Sequence, residues 1–229
     1  MILNPWLTFS LIFLAIWLFI WLIKQGLRKE MLWVSLFTMP FGLTEPLFVP
    51  EYWSPPSLFN LATKTGFDIE SFIFSFAIGG LGAVIYEGIF KTRHQKFGKH
   101  EMHNKKHKFH LLALTSPVIV FIPMLLFTKI NPIYSATIAM SIGGMAAMLC
   151  RPDLKRKILI GGLIFFVLYF VFFILFNLIY PGLALEIWNL SAISGILIIG
   201  VPLEEIIFSF AFGMLWSSIY EHIMWFKIN

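Results

Sequence analysis

Three glutamates at the start of two apolar stretches have the chemistry of proton donors and acceptors. Glu204 and Glu205 are adjacent at the start of one stretch, and Glu70 stands at the start of the other. A carboxyl group in an apolar site can keep its proton near neutral pH, and two neighbouring carboxylates resist joint ionisation. The three residues are therefore candidates for reactions that begin with a proton transfer.

A simpler interpretation is that these acids only begin a helix. Negative charge is favourable at a helix N-terminus, and Pro202 would stand near the first turn. This explains one glutamate, but it does not explain why the same position is acidic twice. A solvated outer loop explains the following acids at least as well as a catalytic role does: Glu45, Glu51, Asp68 and Glu186. For Glu87 and Glu221, beside basic loops, we predict ion pairs at the membrane interface.

The two glutamate-bearing stretches are copies of one another. Residues 67–77 align with residues 201–211 at an offset of 134, and identical residues continue through Glu87 and Glu221. In the preceding loop, at an offset of 135, three pairs match: Pro46 with Pro181, Glu51 with Glu186, and Trp53 with Trp188. Because both a helix and its loop recur, the sequence predicts a three-helix unit present twice.

Identical residues also share one face of the repeated helix. Steps of four and three from Glu70 and Glu204 reach the same phenylalanine, alanine, leucine and isoleucine in both copies. A second row pairs Ser75 with Ser209 and Gly79 with Gly213. These small residues predict a close approach of neighbouring helices.

Composition indicates that these elements lie in a membrane. The 229 residues are 59% hydrophobic and 13% charged, with a mean hydropathy of +0.83, whereas a soluble domain carries roughly 25% charged residues. We predict an all-α membrane protein of seven transmembrane helices: Pro5–Ile23, Met31–Pro50, Glu70–Phe90, His110–Phe127, Pro132–Cys150, Ile158–Tyr180 and Glu204–Phe226. The first stretch lacks the basic flank and cleavage site of a signal peptide, so we expect it to be retained. A single cysteine, Cys150, excludes a disulfide framework.

The charges predict orientation. Of the 17 basic residues, 15 lie in loops on one side and at the C-terminal tail, and only Lys64 and Lys129 fall on the other side. The N-terminus is therefore expected outside and the C-terminus in the cytoplasm. The same distribution explains the net charge of +5 without a nucleic-acid partner. Corresponding spans of the two repeats are four apart in the chain, so the repeats point the same way through the membrane. The chain is thus predicted to consist of a first repeat (residues 1–92), a basic loop with a linker helix (93–131) and a second repeat (132–229).

The stretch Gly200-Val201-Pro202-Leu203-Glu204-Glu205-Ile206-Ile207-Phe208, preceded by Trp188, resembles a known family. It is similar to the small integral-membrane lycopene cyclases of the heterodimeric type, which also occur as fused tandem units and as the cyclase half of fungal bifunctional carotenoid enzymes. The resemblance implies a cell-membrane enzyme that closes rings at the ends of a linear carotenoid or related isoprenoid, without net redox. The absence of a Gly-x-Gly-x-x-Gly fingerprint agrees, and we expect neither a cofactor nor a metal.

Within this hypothesis Glu204 is the general acid, since it lies on the repeated face. Glu205 tunes it or takes the proton back, and Glu70 is the counterpart in the first repeat. Rings that could stabilise a carbocation or hold the polyene complete the candidate substrate site: Phe74, Phe208, Trp216, Trp188 and Trp53, with Pro202.

The first repeat departs from the family pattern. It reads Asp68-Ile69-Glu70-Ser71, so the proline and the second glutamate are missing. A one-ended cyclase, another isoprenoid substrate and a homologue without cyclisation all remain open. The oligomeric state is not predicted.

Other function classes fit less well. A carboxylate-lined transporter or channel suits parallel repeats, but the middle of each predicted span lacks acids. An intramembrane protease of the Glu-Glu-x-x-x-Arg type would need arginine where Ser209 stands. The histidine-rich loop His100–His110 has spacings seen in membrane di-iron enzymes, but we interpret it as a basic loop touching anionic lipid.

Overall fold

The computed structural model describes residues 4–102 and 107–228, and this part of the chain is mostly helical. The helices are α1 (Pro5–Ile23), α2 (Arg28–Thr38), α3 (Glu45–Phe48), α4 (Leu61–Thr65), α5 (Ile69–Ile89), α6 (Lys99–Met102), α7 (His110–Phe127), α8 (Pro132–Cys150), α9 (Lys155–Ile179), α10 (Leu183–Ile187), α11 (Leu203–Trp216) and α12 (Ile219–Met224). Two short antiparallel pairs join β1 (His94–Lys96) to β4 (Phe226–Ile228) and β2 (Leu197–Ile198) to β3 (Val201–Pro202).

Many large apolar side chains face outward, as expected for a protein whose solvent is lipid. Within the described residues, six segments are long and apolar enough to cross a membrane: Pro5–Ile23, Ile69–Ile89, His110–Phe127, Pro132–Cys150, Pro152–Ile179 and Leu203–Met224. The chain is therefore a multi-pass helical membrane protein.

The second predicted span, Met31–Pro50, is not one continuous α-helix. It is divided into α2, a 3₁₀ stretch over Met39–Thr44, and the short helix α3. Pro40 is the second residue of the 3₁₀ stretch, where its missing N–H and its ring prevent the α-helical hydrogen bonding from continuing. The last predicted span is likewise divided, because a turn at Ser217 and Ser218 separates α11 from α12.

The two repeats use the same packing. In the first, α5 packs against α1 and α2, and in the second α11 packs against α8 and α9. The predicted close approaches are confirmed: a Cβ on Gly79 would overlap the Thr38 side chain, and one on Gly213 would lie 2.7 Å from Cβ of Phe165. Contacts of α5 with α9 and α11 join the repeats.

A reciprocal backbone contact links the loop that precedes α4 with the loop that follows α10. Trp53 and Trp188 form an antiparallel bridge. On either side, the amide of Ser54 donates to the carbonyl of Ile187 at 2.7 Å, and the amide of Asn189 donates to the carbonyl of Tyr52 at 2.9 Å. Because each partner is the other's equivalent at an offset of 135, the contact is the kind that a pseudo-twofold relation produces.

Candidate functional site

Glu205 lies in the first turn of α11 and is buried. The Tyr52 hydroxyl donates to its Oε1 at 2.6 Å, the Trp188 indole N–H donates to the same oxygen at 3.1 Å, and the Tyr169 hydroxyl donates to Oε2 at 3.0 Å. Tyr52 comes from the first repeat, whereas the other two donors come from the second. Three donors complement the negative charge of a carboxylate, so the site is built across the contact between repeats.

Tyr52 is held as a hydrogen-bond donor. Burial raises the pKa of its hydroxyl well above the usual range, and the neighbouring Glu205 carboxylate raises it further. The phenol therefore stays protonated throughout the physiological range of pH.

Glu204 and Glu70 occupy matching environments. Oε1 of Glu204 accepts from the backbone amide of Ser194 at 2.8 Å and from the Tyr134 hydroxyl at 2.7 Å. Oε1 of Glu70 accepts from the backbone amide of Leu58 at 2.6 Å and from the Asn4 side chain at 3.3 Å. In each repeat the glutamate thus ties the preceding loop to the start of the long helix. This contact supplies a structural reason for the duplicated acid that the sequence did not reveal.

The second oxygen of each glutamate is different. Oε2 of Glu204 and Oε2 of Glu70 are both buried and find no hydrogen-bond partner among residues 4–102 and 107–228. A buried carboxylate oxygen without a donor is costly, and protonation would remove the charge. Each repeat therefore has one buried carboxyl oxygen that no described residue hydrogen-bonds.

The first repeat contains more buried acids than we expected. Glu51 and Glu186 are exposed as predicted, but Glu45 and Asp68 are buried. Asp68 caps α5 by accepting from the amide of Ser71 at 2.6 Å, and the Ser71 hydroxyl donates to Glu45 at 2.9 Å. Ser71 stands where the second repeat has Glu205. The kinked second helix thus brings a carboxylate beside the position where the motif lacks one.

A small aromatic pocket lies where the two repeats meet, near the starts of α5 and α11. It is lined by Pro5, Trp6, Phe9, Trp53, Pro55, Phe176, Leu183, Ile187 and Trp188. The Trp53 ring lies 4.6 Å from that of Trp6 and 6.0 Å from that of Trp188. Trp6 donates to Asp68 at 3.4 Å, and Trp188 donates to Glu205. Buried acids of both repeats therefore adjoin the pocket. Its volume of about 10 Å³ is room for no more than about one water.

The structure gathers some of the predicted substrate residues and separates others. Phe74 packs on Trp6 with ring centroids 5.1 Å apart, so it joins the aromatic cluster of Trp53 and Trp188. Phe208 and Trp216 instead contact Phe212, at 5.9 and 5.8 Å. Trp216 follows Glu204 by twelve residues, which is about 18 Å along a helix.

Pro202 is buried as the N-cap residue of α11, and its strand pairs with Leu197. It fixes the start of the helix that carries both glutamates.

A second carboxylate cluster is formed by residues of α2, α5, α9 and α12, and Glu87 places it near the end of α5 opposite Glu70. The Lys157 ammonium group pairs with Glu221 at 2.6 Å, with Glu30 at 3.5 Å, and closely with Glu87. His94 lies 2.7 Å from Glu221. The predicted ion pairs of Glu87 and Glu221 are therefore confirmed, although both carboxylates are buried within the protein.

These features define a multi-pass helical membrane protein in which two similar halves place buried carboxylates beside aromatic rings. A family model described as lycopene cyclase matches residues 4–89 and 131–223, more than half of the chain. The chain therefore belongs to the lycopene cyclase family. Both matched ranges begin at an asparagine, Asn4 or Asn131, whose side chain caps the first helix of its repeat. Neither a search of curated proteins nor a search of solved structures gives a match.

Sequence reasoning did not single out the tyrosines. Tyr52 stands between the two repeated residues Glu51 and Trp53, so the matched loop offered a signal for it. Tyr169 is a polar group within an apolar helix, where a buried hydroxyl usually needs a partner. Its partner, Glu205, is identified only by the packing of α9 on α11.

Proposed function

We propose that this protein is a membrane cyclase that closes rings at the ends of a linear, lycopene-type carotenoid without net redox. The observation that carries the proposal is the pairing of two unlike carboxyl groups in the second repeat. Glu204 has a buried oxygen without a described partner, and Glu205 accepts three hydrogen bonds. Groups of one chemical type in contrasting environments are what acid–base catalysis requires.

Glu204 serves as the general acid in this proposal. Its Oε2 carries the proton and donates it to the terminal alkene of the substrate, which leaves a tertiary carbocation. The neighbouring carbon–carbon double bond attacks that cation, so one carbon–carbon bond forms and the six-membered ring closes. Loss of a proton from an adjacent carbon restores a double bond, and the product is an isomer of the substrate.

Glu205 is proposed to act while the substrate is a carbocation, both before and after the ring closes. Its negative charge, supported by Tyr52, Tyr169 and Trp188, favours a nearby carbocation and can accept the departing proton. The faces of Trp53 and Trp188 and of Phe74 add cation–π stabilisation, worth about 2 kcal/mol when desolvated. Phe208 and Trp216 are then candidates for holding the more distant part of a long polyene.

Glu70 is proposed as the corresponding acid of the first repeat, with Glu45 and Asp68 as its neighbours. Its free Oε2 matches that of Glu204. A chain with two such sites could act on both ends of a substrate, and a chain with one active site would give a product with a single ring.

Substrate entry requires the aromatic pocket to open. Ligand pockets usually measure about 300–1,000 Å³, far more than the volume between the tryptophans. We propose that the outer loops, which meet at the Trp53–Trp188 bridge, separate when the polyene end enters from the lipid.

The proposed membrane arrangement has seven spans, with the kinked segment from α2 to α3 as the second. The carboxylate site then lies at the outer face of the cell membrane and the C-terminus in the cytoplasm. Residues 1–92 and 132–229 form the parallel repeats, and residues 93–131 join them.

The first test is pigment analysis of a lycopene-accumulating host that expresses the chain. New pigments of unchanged mass, with altered retention and absorbance, are expected. Unchanged lycopene in cells that contain the folded protein would contradict the proposal and would favour another isoprenoid substrate, a non-catalytic homologue or a transporter.

A further inference from the structure

Histidine and cysteine side chains, which are common metal ligands, meet at the end of the molecule opposite Glu204 and Glu205. His110 is the first residue of α7, Cys150 is the last residue of α8, and His222 lies in α12. One ligand atom from each lies within 4.8 Å of the other two. His107, just before α7, also approaches the cysteine.

The distances suit a tetrahedral metal site. Sγ of Cys150 lies 3.7 Å from Nδ1 of His110 and 3.9 Å from Nδ1 of His107. With Zn–S and Zn–N bonds of about 2.3 and 2.0 Å, ligand sulfur and nitrogen atoms in a tetrahedron are about 3.5 Å apart. The thiol and the imidazoles are thus close to the spacing that a shared ion would impose, whereas S···N contacts of this length are poor hydrogen bonds.

An independent observation points to a missing ligand. His222 is only 1% exposed, and its Nε2 is buried without a hydrogen-bond partner among residues 4–102 and 107–228. Its ring meets that of His110 edge to face, with centroids 4.4 Å apart. A buried imidazole nitrogen without a partner is costly in a folded protein, and a metal ion would satisfy it.

We propose that His110, Cys150 and His222 bind one Zn²⁺ ion, and that His107, whose Nδ1 lies 3.9 Å from the sulfur of Cys150, supplies the fourth ligand when the ion is bound. One thiolate and three imidazoles form a donor set that zinc accepts in four-coordinate sites. The adjacent cation Arg151 is compatible with the site, because its guanidinium donates to Asp153 at 2.9 and 2.6 Å.

The ion would fasten the linker helix to the second repeat. Helix α7 is largely exposed along its length, and the ligands come from its first turn, its preceding loop, α8 and α12. Trp225 already holds the two histidines of the linker, since its ring stacks on His110 at 3.9 Å and meets His107 edge to face. Zinc would turn this stacked arrangement into a cross-link of three helices.

A second group of possible metal ligands is less suited to bind an ion, because a lysine already pairs with it. Glu30, Glu87, His94 and Glu221 also lie close together. However, Lys157 pairs with all three of those carboxylates, so a cation already occupies their centre. His100 does not enter the proposal, and residues 103–106 lie outside the described part of the chain.

The test is metal analysis of the full-length chain purified in detergent with a tag that contains no histidine. About one zinc per chain is expected, and Cys150→Ser or His222→Gln should each reduce zinc by about tenfold. His100→Gln, in the same basic loop, and His94→Gln, in the carboxylate group, are matched controls that should retain it.

Cobalt substitution tests the site in the wild-type chain, so the result does not depend on whether a variant folds. The wild-type chain loaded with Co²⁺ should show tetrahedral d–d bands and a thiolate charge-transfer band, which reports the sulfur ligand directly. A chelator should lower the melting temperature of the wild type more than that of Cys150→Ser. Wild-type protein without zinc or a cobalt–thiolate band would overturn the proposal, as would zinc that persists in Cys150→Ser or disappears in His94→Gln.

Discussion

Replacing Glu204 by glutamine separates the acid function of this residue from its structural contact. The glutamine side chain has the same shape, and its carbonyl oxygen can still accept from the Ser194 amide and the Tyr134 hydroxyl. The loop that contains Ser194 should therefore stay attached to α11. The variant loses only the carboxyl proton that the proposed mechanism transfers.

The expected magnitudes differ for rate and stability. General acid catalysis contributes about 10²- to 10⁴-fold, so ring formation by Glu204→Gln should fall at least 100-fold. Glu204→Ala removes both hydrogen bonds as well, which at about 0.5–1.5 kcal/mol each should lower the free energy of unfolding by about 1–3 kcal/mol. Glutamine should therefore lose activity with little loss of stability, whereas alanine loses both.

The assay is the initial rate of cyclic pigment formation in membranes containing equal amounts of each variant, with thermal unfolding measured in detergent. Glu70→Gln is the matched variant of the first repeat, because Oε1 of Glu70 also accepts from a loop amide. It should suppress the second ring of a two-ended reaction while leaving the first. Full activity of a stable Glu204→Gln protein would refute the acid assignment and leave the loop contact as the explanation of the duplicated glutamate.

Three further predictions concern contacts that only the folded chain contains. Tyr52→Phe removes the shortest hydrogen bond to Glu205. Because a hydrogen bond to a charged group is worth about 1.5–3 kcal/mol, pigment formation should slow at least tenfold. An unchanged rate would argue against a site shared by the two repeats. Lys157→Met leaves the buried carboxylates Glu30, Glu87 and Glu221 without the lysine that pairs with them. Calorimetry in detergent should record a free energy of unfolding lower by about 3–5 kcal/mol. A variant as stable as the wild type would mean that these carboxyl groups are neutral in the folded protein. Gly79→Ala inserts a methyl group against α2 and should lower the melting temperature, whereas Gly88→Ala, with no atom within 4 Å of its added Cβ, should not.

Much of the architecture could be read from local patterns. Three predicted spans, those beginning at Pro5, His110 and Pro132, coincide with observed helices at both ends. The sequence could set these limits because an Asn-Pro pair begins two of the helices and a long apolar run defines all three. The second span was harder to predict, since hydropathy continues through Pro40 while the α-helical hydrogen bonding does not.

The carboxylate site could be predicted only in part. Glu70 and Glu204, the acids that recur in the sequence, are buried, but Glu45 and Asp68, which the sequence predicts as solvated loop acids, are buried as well. Hydropathy treats every acid near a span end alike. Whether such an acid is solvated depends on how the kinked second helix folds over the start of α5.

The sequence by itself therefore determined a membrane protein of two similar halves with acids at the start of the repeated helix, because helical period, hydropathy and duplication are properties of neighbouring residues. Only the tertiary structure decided which groups meet those acids. Tyr52 is 153 residues from Glu205, and its hydrogen bond to that carboxylate depends on the reciprocal contact between the loops that contain Trp53 and Trp188. Likewise, Cys150 and the histidines come together through the packing of α7, α8 and α12. Such long-range juxtapositions are set by which helix faces pack against one another, and no spacing along the chain records them.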